Sequence, residues 1–335
     1  MLAKPTLSDK KIIATLRESF GIETRALEFL ALGNDTNAGV YRVTDAPGEN
    51  FFLKTKRGAF PNLSLALPRY LYENGITQII APLPTHGGEL KASIDDYALI
   101  LYPFIHGENG MRRELSEQQW REYGSIVKQL HNTKPPRDFE NEIERETFIP
   151  KWDEMRDAVE QKISAHEFQN DIQCALGALW QDKRAVIETL RVRTLKLAAQ
   201  LQKQPNEFVL CHADIHLGNV LVGDDGNLYV VDWDQPILAP RERDFLFIID
   251  SVIAKRVTRQ QEKLFFEGYG ETKLNDAALA YYRCDWAMYD VCEYAARVLL
   301  LPDATEETQG DALKWFRLQF EPGDMVDLAL TGGPV

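Results

Sequence analysis

Apolar positions change their period twice along this chain. Ile12, Ile13, Leu16 and Phe20 recur at helical spacing behind Ser8, a residue type suited to a helix N-cap, and Gly21 stands where such a helix would end. Short apolar or β-branched runs then take over at 26–32, 40–43 and 51–54, separated by clusters of Gly, Asn, Asp and Pro. Runs that short between turn residues predict an antiparallel meander. A short helix is expected over 63–73, and the run YALILYPF at 97–104 reads as a buried strand entering a proline-interrupted connector.

Beyond the connector the helical period returns. Trp120, Tyr123, Val127 and Leu130 share one face behind Ser116, a long helical pattern extends from 172 to 202, and helical texture resumes over 242–254 and 277–300. Between the first two, 134–146 opens with KPPR and continues with charges, which reads as a loop or extension. No internal repeat or low-complexity tract interrupts this. A strand-rich front and a helix-rich back make the class α+β, divided into 1–104 and 105–335 with a connector at about 102–105. The 335 residues, 44% of them hydrophobic, suffice to bury a core in each part. A ligand is expected in the cleft that such an arrangement leaves.

Charge narrows the function classes. A formal net charge of −13 argues against nucleic acid as a partner, since proteins that hold phosphate backbones present basic faces. A cationic small molecule matches better, although soluble proteins are often acidic for no specific reason. Cys174, Cys211, Cys284 and Cys292 show neither a CxxC pair nor metal-ligand spacing and are expected to be reduced, buried thiols. No apolar run is long enough to cross a bilayer, and MLAKPTLSDKK lacks a signal core, so no membrane partner and a cytoplasmic location are expected. Nothing calls for an obligate protein partner.

The strongest chemistry lies in FVLCHADIHLGNVLV, 208–222, followed by the turn 223–226 and LYVVDWD, 228–234. An apolar strand delivers His212 and Asp214 to a loop, Asn219 returns into a second strand, and a hairpin carries Asp232 back to the same end. Phosphoryl transfer needs such a set, because its transition state is stabilised by positioning and charge neutralisation. Asp214 would accept or orient the proton of an attacking hydroxyl, while Asn219 and Asp232 offer hard oxygen ligands for Mg²⁺. An HxDxxxxN match alone arises by chance in roughly one chain in a hundred of this length. The flanking strands and the Asp232 hairpin make chance a poor explanation. His212 and His216, four apart on an irregular loop without a third ligand, make a poor zinc site. Hydrogen bonds that support the loop suit them better, and His216 could also approach the transferred phosphate.

These motifs, together with Lys54 in the strand FFLK, resemble the aminoglycoside phosphotransferases, which share the protein-kinase-like fold. YPFIH at 102–106, PKW at 150–152 and LAPRERD at 238–244 extend the resemblance over nearly the whole chain. It implies a bilobal fold and transfer of phosphate from ATP or GTP, with Mg²⁺, to a hydroxyl of a cationic aminocyclitol or aminoglycoside antibiotic, spectinomycin foremost. It implies that Lys54 meets the α- and β-phosphates, that Tyr102, Phe104 and Ile105 in the connector receive the base, and that Asp244 braces the catalytic loop. Without the resemblance, Lys54 would read as a solvated lysine at a strand end. Gly33, Asn34, Asp35, Thr36 and Asn37 lie between two strands about twenty residues before Lys54, where backbone N–H groups could approach phosphates or simply form a hairpin loop. One departure stands out: the helix after Lys54 lacks a convincing glutamate to pair with it, Glu73 coming late. Lys54 must then have another partner, or the helix is displaced in the empty enzyme.

The segment 205–335 contains 23 Asp and Glu against 11 Lys and Arg, so it carries −12 of the total −13. On the helix expected at 277–300, Asp285 and Glu293 share a face, Asp290 lies three before Glu293, and Trp286, Tyr289 and Tyr294 stand nearby. Carboxylates beside aromatics could bind an ammonium-bearing substrate, or could be a solvated face above core aromatics. A kinase of choline, homoserine or a sugar would keep the same catalytic core, and a catalytically silent nucleotide-binding protein is the remaining alternative.

Overall fold

The computed structural model describes residues 4–31, 37–58, 61–302 and 304–332. The chain packs into two compact units, the first made of Met1–Glu144, His212–Pro236 and Lys263–Gly270, the second of Arg145–Cys211, Ile237–Glu262 and Glu271–Val335.

In the first unit the expected meander is a five-stranded antiparallel sheet in the order Thr24–Leu30, Ala38–Asp45, Asn50–Arg57, Tyr97–Pro103, Ala92–Ile94. Alternation decides its faces. Tyr41, Val43, Leu53, Leu99 and Leu101 turn to one side and bury Ile12 and Leu16 of the helix Asp9–Phe20, which ends on Gly21 in the left-handed region at φ 70°. Ala98 and Ile100 turn to the other side and pack with Leu65 of the helix Leu63–Glu73. The strand Tyr97–Pro103 is therefore covered on both faces, which is why its sequence is apolar without alternation.

A second, three-stranded sheet in this unit orders Leu228–Val230, Val220–Gly223 and Gly107–Asn109. The helix Glu117–Asn132 begins on Ser116 with a full capping box, the Ser116 side chain accepting from Gln119 N while the Gln119 side chain accepts from Ser116 N. It packs backbone to backbone on Lys263–Gly270. A methyl group at Gly124 would collide with the Phe265 carbonyl oxygen, and one at Gly268 with the Arg121 carbonyl oxygen. Between these close approaches Tyr123 is fully buried, with its ring edge-on to Phe265 at 5.2 Å between centroids.

The second unit is mainly helical. Asp276–Leu299 is its buried centre, contacted by Asp153–Ser164, Asp171–Leu201, Glu306–Leu318 and Met325–Thr331, while Val209–Cys211 and Ile237–Ala239 pair antiparallel. Three sequence expectations need correction. The helix expected over 242–254 stops at Phe245, and turns follow that end on positive φ at Asp250 and Ala254; Arg283 draws the Ile249 carbonyl to its guanidinium at 2.6 Å. The stretch 134–146 contains the short helix Arg137–Glu142, started by Pro136 and favoured by Asp138 and Glu140 in its first turn. Cys174 is exposed, whereas Cys211, Cys284 and Cys292 are buried. Among the described residues no helix is long and apolar enough to cross a membrane. The whole is α+β: an N-terminal antiparallel sheet followed by a mainly helical C-terminal region.

Candidate active site

The loop 212–219 is built from hydrogen bonds that each fix one functional atom. His212 is buried, accepts the Asp214 N–H at Nδ1 (3.3 Å) and donates from Nε2 to the Val231 carbonyl (3.0 Å), so both partners demand the Nε2–H tautomer. Its ring lies edge-on to Trp233 at 4.5 Å. The tie from loop to hairpin holds two non-glycine residues in the left-handed region, Ala213 at φ 72° beside Asp214 and Asp232 at φ 68°. Such backbone costs roughly 1–3 kcal/mol per residue and persists only where its surroundings enforce it.

Asp214 is gripped from two sides. Asn219 Nδ2 donates to its backbone oxygen at 2.8 Å and to Oδ2 at 3.1 Å, and His216 Nε2 stands 3.5 Å from Oδ1. His216 accepts the Gly218 N–H at Nδ1 (2.9 Å), which leaves its proton on Nε2, facing the carboxylate. Tyr123 adds a hydrogen bond from its hydroxyl to the Ile215 carbonyl. Sequence reasoning missed Tyr123, because its helical spacing marked it as core, which it also is.

Lys54 rises from the strand Asn50–Arg57, and its Nζ lies 3.3 and 3.5 Å from the carboxylate oxygens of Asp234. Burial first, and then the charge of Asp234, push the Asp232 carboxyl above the usual carboxylate range, while Lys54 and His216 pull it down. Burial, Asp234 and Asp232 likewise raise the Tyr102 hydroxyl. Lys54, Tyr102, Asp232 and Asp234 are thus electrostatic neighbours. The partly buried Asp232 carboxylate is a donor suited to a hard cation, while the Asp234 carboxylate is engaged by Lys54. The Asn219 amide, with its nitrogen committed to Asp214, has its oxygen available as another such donor.

Other expected residues have different surroundings. Phe104 carries the Arg42 guanidinium over its face at 4.9 Å and meets the His106 ring at 5.0 Å, and Ile105 is partly exposed. Asn37 accepts the Arg57 N–H at 2.9 Å through its carbonyl, whereas Gly33, Asn34, Asp35 and Thr36 lie outside the described residues. In the second unit Asp244 is fully buried. Asp285 accepts a hydrogen bond from Trp152 Nε1 at 2.9 Å, and burial pushes its carboxyl up to about 6. Trp286 has Arg243 over its ring at 5.3 Å, so the cation expected from a ligand is supplied by the chain itself. Glu293 is paired with Arg297, Asp290 is partly buried, and Tyr289 is 47% exposed.

Residues 28–283 match the model of the phosphotransferase enzyme family known as APH. The chain belongs to that family. A phosphotransferase of this kind is a small-molecule kinase. Among solved structures, this phosphotransferase is similar to spectinomycin phosphotransferase in complex with ADP and spectinomycin, with 31% identity over 98% of this chain and 99% of that one and a TM-score of 0.86. The AMP-bound complex of spectinomycin phosphotransferase gives 29% identity over 97% and 99%, with a TM-score of 0.84. Protein StrN of Streptomyces griseus is 22% identical, with 95% of each chain covered.

Proposed function

We propose that this phosphotransferase moves the γ-phosphate of ATP, as a magnesium complex, onto a hydroxyl of a cationic aminocyclitol antibiotic, with spectinomycin as the substrate. The observation that carries this reading is the end-to-end likeness, at 31% identity, to a spectinomycin phosphotransferase solved with ADP and spectinomycin. The adenine nucleotides in both solved relatives favour ATP over GTP.

The chain's residues then have these parts. Asp214, held by Asn219 and faced by His216, takes the proton of the attacking hydroxyl. His212 keeps the Asp214 backbone in place. Lys54 meets the α- and β-phosphates, and the connector with Tyr102, Phe104 and Ile105 receives the adenine. Asn219 and Asp232 would hold Mg²⁺, whose charge, when bound, neutralises that building on the phosphate oxygens. The acidic segment 205–335 attracts the cation over distance.

Incubation with ATP, Mg²⁺ and spectinomycin, followed by mass spectrometry, tests the reading. A single phosphate added to spectinomycin is expected. No product from spectinomycin alongside ready transfer to choline, homoserine or an uncharged sugar would move the assignment to a metabolic alcohol and leave the catalytic core as described.

A further inference from the structure

A lysine that must meet phosphate oxygens needs an acid beside it, because its long stem loses about 2 kcal/mol of rotamer entropy on being fixed. In protein kinases a helix glutamate fills that part. Here the helix Leu63–Glu73 contains one acid, Glu73, whose carboxylate accepts the Arg69 guanidinium at 2.7 Å one turn back. Asp234 instead presents both carboxylate oxygens to Lys54 Nζ, at 3.3 and 3.5 Å.

We propose that Asp234 is the positioning residue for Lys54, taking the place of the helix glutamate. Lys54 is 20% exposed and Asp234 45%, so the pair is half in water and adds little to stability. Its contribution is direction. The lysine is anchored to the Asp232 side of the site, on the chain that follows the catalytic hairpin, so its placement needs no movement of the helix Leu63–Glu73. This inference rests on the kinase reading in which Lys54 meets the nucleotide phosphates.

Initial rates at varied ATP and magnesium would be measured for wild type, Lys54→Ala, Asp234→Asn, Asp234→Glu, Glu73→Gln and the double variant Lys54→Ala/Asp234→Asn. Asp234→Asn should raise the KM for ATP about tenfold, and Asp234→Glu should recover part of that loss. The double variant should be no worse than Lys54→Ala alone, Glu73→Gln should match wild type, and the magnesium concentration giving half-maximal rate should be unchanged in Asp234→Asn. Multiplying KM effects, a shifted magnesium requirement, or a raised KM in Glu73→Gln would each overturn the role of Asp234 while the kinase reading stands. A wild-type KM in Lys54→Ala would remove the phosphate role of Lys54 and this inference with it.

Discussion

The loop and hairpin 212–234 and the helix Asp276–Leu299 both gather acids beside aromatic rings, and they use them differently. In the loop, Asp214 is held by Asn219, His212 by backbone groups, and the donors are neighbours in sequence. On the helix, Asp285 is tied to Trp152, Glu293 to Arg297, and the Trp286 face to Arg243. A ligand-facing acid is oriented by its neighbours yet keeps lone pairs in reach, whereas an acid already serving an indole or a guanidinium helps to build the fold. The contrast breaks if the helix acids prove as necessary to turnover as Asp214.

The largest effect is expected at Asp214. Asp214→Asn should lower turnover by about 10²–10⁴-fold, the range that a general base supplies, with nucleotide affinity and melting temperature close to wild type. Near-normal turnover in that variant would take Asp214 out of the reaction. Asp232→Ala should weaken nucleotide binding about tenfold or more when magnesium is present, as expected for loss of a ligand that joins ion and phosphates. Calorimetric titrations at several magnesium concentrations would show it, and identical affinities throughout would reassign the ligand.

Asp285 sharpens the other side of the comparison through pH. Its carboxyl is raised from 3.8 to about 6 in the folded protein, so the folded state binds the proton more tightly than the unfolded chain. The stabilisation this gives is complete below about pH 3.8 and is lost as pH rises to about 6, amounting to at most about 3 kcal/mol. Urea midpoints across pH 4–7 should therefore fall more steeply for wild type than for Asp285→Asn, which keeps an acceptor for Trp152. Parallel curves would mean that Asp285 titrates as an exposed acid. The smallest effect is expected from Ser116→Ala, which should cost about 1 kcal/mol through the lost capping box without changing KM; a raised KM would show that the catalytic loop depends on the start of that helix.

The same contrast explains what could be read in advance. The helices at 63–73 and 172–202, the Ser116 cap and the loop with Asp214 and Asn219 were legible, because period, capping chemistry and a contiguous motif are local properties. The partner of Lys54 was hidden, since Asp234 lies 180 residues away and is brought there by tertiary folding. The Trp152–Asp285 bond was hidden for the same reason, across 133 residues. The helix after Glu242 was overestimated because its apolar pattern says nothing of Arg283, whose guanidinium takes the Ile249 carbonyl. The family match ends at 283, just before Asp285, so the residues nominated for substrate recognition on that helix lie beyond it.

The paired glycines 124 and 268 set a spacing that leaves no room for a methyl group on either side, and Tyr123, next to one of them, reaches the Ile215 carbonyl. Alanine at either glycine would part the two backbones and shift the hydroxyl that steadies the catalytic loop. A screen scoring only lost activity would rank these positions beside Asp214, although neither meets a reactant. Measured separately, they would show themselves as spacers, with binding and turnover declining together as the loop loses its support.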